Sequence, residues 1–202
     1  DLEKLCNCKV KTIIPYIKIN KENFRKFNKE KVNLCWIGRI SPEKNINDLL
    51  FAINYLSKIN FNLDIVSDKK IDLSIFSMNK KILNNVNLFR FNNVDLIKIY
   101  KKSDILISTS LYGGFPNVIA EAINYNCLII SAKNYGGARQ LIGNQDKGLY
   151  YNLSDSKDLY KKIKYSLKHR SLIRKKIIKS KSNLIKLSKQ NNNGYKKLFD
   201  KL

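Results

Sequence analysis

"VNLCWIGRISPEKNINDLLFAINYLSKINFNLDIVS", Val32 to Ser67, decides the fold. Val32 to Ile37 is a short apolar run closed by Gly38. Ile46, Leu49, Leu50, Ile53 and Leu56 then recur at helical spacing, and "FNLDIVS" is a second apolar run. The reading is strand, loop, helix, strand. Downstream the alternation continues, with a helix expected near 72–84, a strand in "VNLFRF", a helix in "VDLIKIYKKS" and a strand in "DILISTS". A helix in "PNVIAEAINYN", a strand in "CLIISA", a glycine turn into a short helix in "GGARQLI" and a last strand in "GLYY" follow. Apolar strands alternating with helices imply a parallel sheet covered on both faces, a doubly wound, Rossmann-like α/β domain. Ligands of such sheets sit at the carboxyl ends of the strands, so function is sought in the loops after Gly38, Thr109 and Ala132.

Around this domain, assigned to 31–168, residues 1–30 read as a Pro-containing, highly charged connector without a sustained period. Residues 169–202 read as basic C-terminal helices, with helical sequence over 155–168 and 170–190. "NNNG" is expected to break it, leaving "YKKLFDKL" as a separate terminal helix. With 202 residues, 44% of them hydrophobic, the chain can bury a sizeable core. It carries no apolar run long enough to span a bilayer and no secretory signal pattern. The opening on Asp1 and an early connector suggest a piece of a longer protein.

Four cysteines are too few for a secreted disulfide framework; Cys35 and Cys127 fall in strand-like runs, which favours a reducing, cytoplasmic setting. Cys6 and Cys8 have no second ligand pair at metal-site spacing. The net charge of +23 raises nucleic acid as a partner, but the lysines are spread along the chain, most of the charge is Lys, and the aromatic residues do not interleave with Arg in a single-strand-binding pattern. No nucleic acid is expected. The basic, amphipathic stretch from Lys157 to Lys189 points instead to peripheral contact with anionic headgroups.

Three loops carry candidate chemistry. In "GRISPEKN", Gly38 lets the chain turn, and Arg39 and Lys44 place two cations near a helix start, which suits a diphosphate; a solvated turn is the bland alternative. In "SLYGGFPNVIAEA", Pro116 suits a first helical turn, and Gly113, Gly114 and Phe115 precede it with accessible amides. Glu121, in the second turn, can accept from two adjacent hydroxyls, as a ribose presents, or pair with a lysine. In "NYGGARQLI", Gly136 and Gly137 offer amides to a sugar or phosphate, or simply form a turn.

These motifs, in this order over about 32–165, resemble the C-terminal, nucleotide-sugar-binding half of retaining GT-B glycosyltransferases of family 4. The resemblance implies that Arg39 and Lys44 hold the donor diphosphate and that Glu121 holds the donor ribose. It also implies that backbone amides between the two carboxylate positions, 113 and 121, touch the donor sugar, with Gly113, Gly114, Phe115, Pro116 and Asn117 at the substrate, and that no metal is required. Three positions depart from the family pattern. Gly113 stands where the first Glu of E-x7-E belongs, Ser67 where Gly is common in "IVGDG", and Gln140 where "GGxPE" would have Glu.

The implied activity is transfer from a nucleotide sugar to a saccharide or lipid-linked acceptor in surface polysaccharide, O-antigen, capsule or glycolipid synthesis. This chain would be the donor half and would need an N-terminal GT-B domain in cis or trans. The expected location is cytoplasmic, peripheral at the inner face of the plasma membrane. A non-catalytic nucleotide-sugar-binding module or partner subunit is the alternative. His169 reads as a surface residue on a basic helix.

Overall fold

A computed structural model describes residues 18–20, 31–133 and 136–199. The connector lies outside them except for 18–20, as do Cys6 and Cys8. Six strands form one sheet: β1 (Val32–Ile37), β2 (Phe61–Ser67), β3 (Val86–Arg90), β4 (Ile105–Ser108), β5 (Leu128–Ala132) and β6 (Leu149–Tyr151). Their spatial order is β3-β2-β1-β4-β5-β6 and every pairing is parallel. The doubly wound α/β architecture read from the sequence is the observed one.

Strand side chains alternate between faces, and the alternation sorts the core into two halves. On one face Val32, Leu34 and Trp36 of β1 join Phe61, Leu63 and Ile65 of β2, Ile105 and Ile107 of β4, and Ile130 of β5. On the other, Cys35 and Ile37 join Val66, Leu106, Ile129 and Tyr150. The register Leu34 opposite Leu63 and Leu34 opposite Ile105 keeps like faces together across the three central strands.

Helices α1 (Asn47–Ile53), α2 (Lys80–Leu83), α3 (Leu96–Lys102), α4 (Asn117–Asn124), α5 (Gly136–Ile142), α6 (Ser156–Lys168) and α7 (Arg170–Phe199) connect and cover the strands. Leu49, Leu50 and Ile53 of α1 and Leu159 and Ile163 of α6 cover the first face. Ile99 and Tyr100 of α3, Ile119 and Ile123 of α4, and Leu141 of α5 cover the second. Helix α7 passes from one side to the other: Ile173 and Ile177 join the first cluster and Leu184 the second.

Three local expectations are corrected. Over 72–84 the chain forms a 3-10 turn, Ser74–Phe76, then the four-residue α2. Asp72 accepts from the Ser74 amide, Ser77 is left-handed at φ 47, and Asn79 caps α2, so side-chain bonds and backbone geometry interrupt a continuous helix. Gly136 and Gly137 open α5 rather than forming a turn before it. Helix α7 runs through Asn191 to Gly194 without a break, taking in Tyr195 to Phe199. Asn and Gly cost at most about 1 kcal/mol each against Ala, and no proline intervenes.

Candidate functional site

The strand order turns back between β1 and β4, where the connections leave in opposite directions and the loops part. A cavity of about 240 Å³ opens there. Trp36 and Ile37 of β1, Ile107 to Ser110 at the end of β4, Gly113 to Pro116 and the first three residues of α4 line it, together with Lys44.

The β1–α1 loop is held on its β4 side by a relay of hydrogen bonds. The Trp36 indole Nε1–H donates to the Thr109 hydroxyl at 2.9 Å, and that hydroxyl donates to the Lys44 carbonyl at 2.5 Å. The Leu111 amide donates to the Glu43 carbonyl at 2.9 Å. On the β2 side, the Ile40 amide donates to the Asp68 carboxylate at 2.7 Å. That amide, first among its causes, holds the Asp68 carboxyl below the ordinary aspartate value. Asn45, left-handed at φ 42, ends the 3-10 turn Pro42–Lys44. The Lys44 ammonium then points along the cavity wall and donates to the Ser110 hydroxyl at 3.5 Å.

Gly38 follows β1 with its amide on the Val66 carbonyl, and a Cβ there would meet the Trp36 ring at 3.0 Å. Glycine therefore lets the indole lie across the strand end. At Gly114 a Cβ would meet nothing within 4 Å, so this part of the wall is open. Gly113 has φ 155, a backbone value costly for residues with a side chain. The first α4 hydrogen bond accepts at Pro116, to Ala120, and the Asn117 amide donates to Phe115. Val118 and Ile119 follow in the first helical turn, where amides have no intrahelical acceptor.

Lys44, Gly113, Gly114, Phe115, Pro116 and Asn117 are thus brought together on one cavity, with Gly38 bordering the lining residue Ile37. Arg39 stands outside the lining, its guanidinium 3.3 Å from Glu43 and its side chain 69% exposed. Glu121 is half-buried on α4; its Oε2 accepts from the Tyr100 hydroxyl at 2.7 Å. Gly136 and Gly137 start α5 after β5, and Gly137 does not line the cavity. His169 also lies outside it, stacked on Tyr165 with ring centroids 4.1 Å apart. Ser67 donates to the Lys69 carbonyl, and Gln140 is exposed on α5.

Sequence reasoning missed Trp36, Thr109, Asp68 and Tyr100. Trp36 and Tyr100 read as core residues, and only their hydrogen-bonding atoms distinguish them from Leu or Phe. Burial and the Glu121 charge push the Tyr100 hydroxyl well above its ordinary pKa, so it stays a donor. Among the described residues, no cluster of His, Cys, Asp or Glu has metal-ligand geometry.

The model of the family described as glycosyl transferases group 1 matches residues 18–184. The chain is 32% identical over 143 residues to the Campylobacter jejuni GalNAc-alpha-(1->4)-GalNAc-alpha-(1->3)-diNAcBac-PP-undecaprenol alpha-1,4-N-acetyl-D-galactosaminyltransferase, covering 68% of this chain and 39% of that protein. It is 26% identical over 140 residues to an uncharacterized protein of the Klebsiella pneumoniae cps region, covering 69% of this chain and 38% of that one. The chain therefore spans about two fifths of the length of these curated relatives. Among solved structures, TarM superposes with a TM-score of 0.78 at 20% identity, covering 98% of this chain and 41% of TarM. A Rickettsia africae glycosyltransferase superposes with a TM-score of 0.70 at 24% identity, covering 83% of this chain and 48% of that one. Both likenesses are of fold. From the match over 18–184, the chain belongs to the glycosyl transferases group 1 family.

Proposed function

We propose that this chain is the donor-binding half of a retaining glycosyltransferase, taking a nucleotide sugar and transferring its sugar to a saccharide or lipid-linked acceptor in surface polysaccharide or glycolipid synthesis. The observation that carries the reading is the cavity between the β1 and β4 loops, which sets the Lys44 ammonium beside the first turn of α4. A cation facing helix amides is the arrangement that holds a diphosphate. Two of the relatives, both from Campylobacter jejuni, are themselves named as N-acetylgalactosaminyltransferases. A variant of S. aureus TarM, at TM-score 0.79, is described in complex with UDP.

In this reading Lys44 and the α4 amides stabilise the negative charge that develops as the diphosphate departs, in place of a metal ion. Arg39 exchanges Glu43 for a phosphate oxygen at small cost, because an exposed ion pair is screened by water. Glu121 holds the donor ribose, Gly113 to Asn117 face the sugar, and Gly136 and Gly137 flank it. A second α/β domain, in cis or in trans, supplies the acceptor side, with the assembly peripheral at the cytoplasmic face of the membrane.

The test is calorimetric titration of the chain with a panel of nucleoside diphosphates and nucleotide sugars. Lys44→Ala and Glu121→Ala are each expected to weaken the preferred ligand by about ten-fold or more, as for a lost charged hydrogen bond. Wild-type affinity in Lys44→Ala would remove this cavity from the function, and wild-type affinity in Glu121→Ala would remove Glu121 from the site. Gly113 supports a second reading, a non-catalytic nucleotide-sugar-binding module, because a carboxylate at that position is absent. Binding without any donor turnover, when the chain is completed by its partner domain, would select it.

A further inference from the structure

Away from the cavity, exposed apolar side chains gather on the face covered by α1 and α6. Phe51 is 50% exposed and meets Phe76 edge to face, ring centroids 5.4 Å apart; Ile75, beside Phe76, is 73% exposed. One turn on from Phe51, Tyr55 is 42% exposed and reaches Tyr160 of α6 at 5.8 Å. The Lys164 ammonium lies 5.9 Å from the centre of the Tyr160 ring. Ile75, Phe51 and Tyr55 are thus the exposed apolar side chains of one surface band, with the buried Phe76 packed against Phe51 and the half-buried Tyr160 packed against Tyr55.

The rim of the band is cationic. Lys58 ends the 3-10 turn Asn54–Lys58 that carries Tyr55. Lys157, Lys161 and Lys164 are exposed on α6, around and beyond Tyr160. The carboxylates of these elements are engaged elsewhere. Asp48 is buried and accepts from the Tyr151 hydroxyl, and Asp72 accepts from the Ser74 amide and hydroxyl. Asp158 accepts from the Asn152 amide and pairs with Lys162. From Leu159 to Phe199 the chain has no Asp or Glu.

A continuous apolar band on a folded surface marks a contact site, and its rim selects the partner. Rings at headgroup depth, with lysine stems over the apolar surface and ammonium groups reaching phosphates, are the chemistry of an anionic bilayer surface. A single-stranded nucleic acid would call for rings free to stack and for arginine; these rings pack on one another and the band holds no arginine. We propose that the α1–α6 face docks on a bilayer containing anionic lipid, with Phe51, Tyr55 and Ile75 entering the interface and Lys58, Lys161 and Lys164 meeting headgroups. Phe51 lies in the second turn of α1, the helix that follows the loop carrying Lys44. The proposal deepens the reading of a membrane-side transferase, and its test is independent of the donor site.

The test is co-sedimentation of the full chain with phosphatidylcholine vesicles and with mixed phosphatidylcholine–phosphatidylglycerol vesicles. Binding is expected to the mixed vesicles alone and to fall with added salt. The double variants Phe51→Ser/Tyr55→Ser and Lys161→Glu/Lys164→Glu should each weaken it by about ten-fold or more. Lys186→Glu/Lys189→Glu, exposed beyond Leu184 on α7, carries the same change in charge and should bind within about three-fold of wild type. Thermal melts of every variant check that the fold is kept. Absence of vesicle binding, equal losses in both charge-reversal variants, or release of the chain from vesicles by an oligonucleotide at equimolar charge would overturn the proposal. Vesicle binding without nucleotide binding would sink the donor reading and leave this one standing; the reverse result would do the opposite.

Discussion

Tyr100 is 1% exposed, stacked nearly parallel on Tyr125, and aims its hydroxyl at Glu121. A buried hydroxyl needs an acceptor, and here the acceptor is the carboxylate proposed to hold the ribose. One carboxylate oxygen is fixed by the bond, which sets the orientation of the other. Tyr100→Phe removes that restraint while keeping the ring stack, and is expected to lower stability by about 1 kcal/mol. It should also weaken nucleotide binding several-fold, with no further loss when combined with Glu121→Ala; calorimetry across the double-mutant cycle reads this out. At Gly113, φ 155 means that Gly113→Glu must rebuild the loop to gain a carboxylate. A changed donor preference is expected together with a lower melting temperature, and an unchanged donor profile would count against the assignment.

At the scale of elements, the loop after β1 depends on one carboxylate from the loop after β2. Asp68 has its pKa lowered chiefly by the Ile40 amide, so its stabilising effect is full above the ordinary aspartate value and is lost as pH falls through the lower folded value. Asp68→Asn should therefore melt below wild type at neutral pH and converge with it under acid conditions, as melting temperatures measured between neutral pH and about pH 3 would show. Equal gaps at both pH values would mean that the ionised carboxylate is not what the Ile40 amide uses. The strand and helix periods of β1, α1, β2 and α4 were legible because each carries a sustained apolar repeat. The stretch 72–84 was not legible, because Asp72 and Asn79 bond the backbone themselves and the apolar spacing does not record that competition.

Across the whole molecule, Asn124 at the end of α4 gathers distant segments. Its Nδ2 donates to the Lys18 carbonyl and its Oδ1 accepts from the Asn20 amide, both at 2.8 Å. Lys181 of α7 donates to its backbone carbonyl at 2.8 Å. The helix whose first turn lines the cavity is thus tied at its other end to residues 18–20 and to α7. Asn124→Ala is expected to cost about 1–3 kcal/mol, from two part-buried side-chain bonds, and to speed hydrogen exchange at the Asn20 amide. Unchanged exchange there would show that other contacts hold the segment. By itself the sequence determined the doubly wound class, the alternation of strands and helices, and two of the three loops it singled out, those after Gly38 and Thr109, as holding the cavity, because apolar period and glycine position act locally. Only the tertiary structure decided that Thr109 joins Trp36 to Lys44 and that Tyr100 engages Glu121. Those partners lie on different elements, and their meeting depends on sheet register and helix packing, which no local pattern encodes.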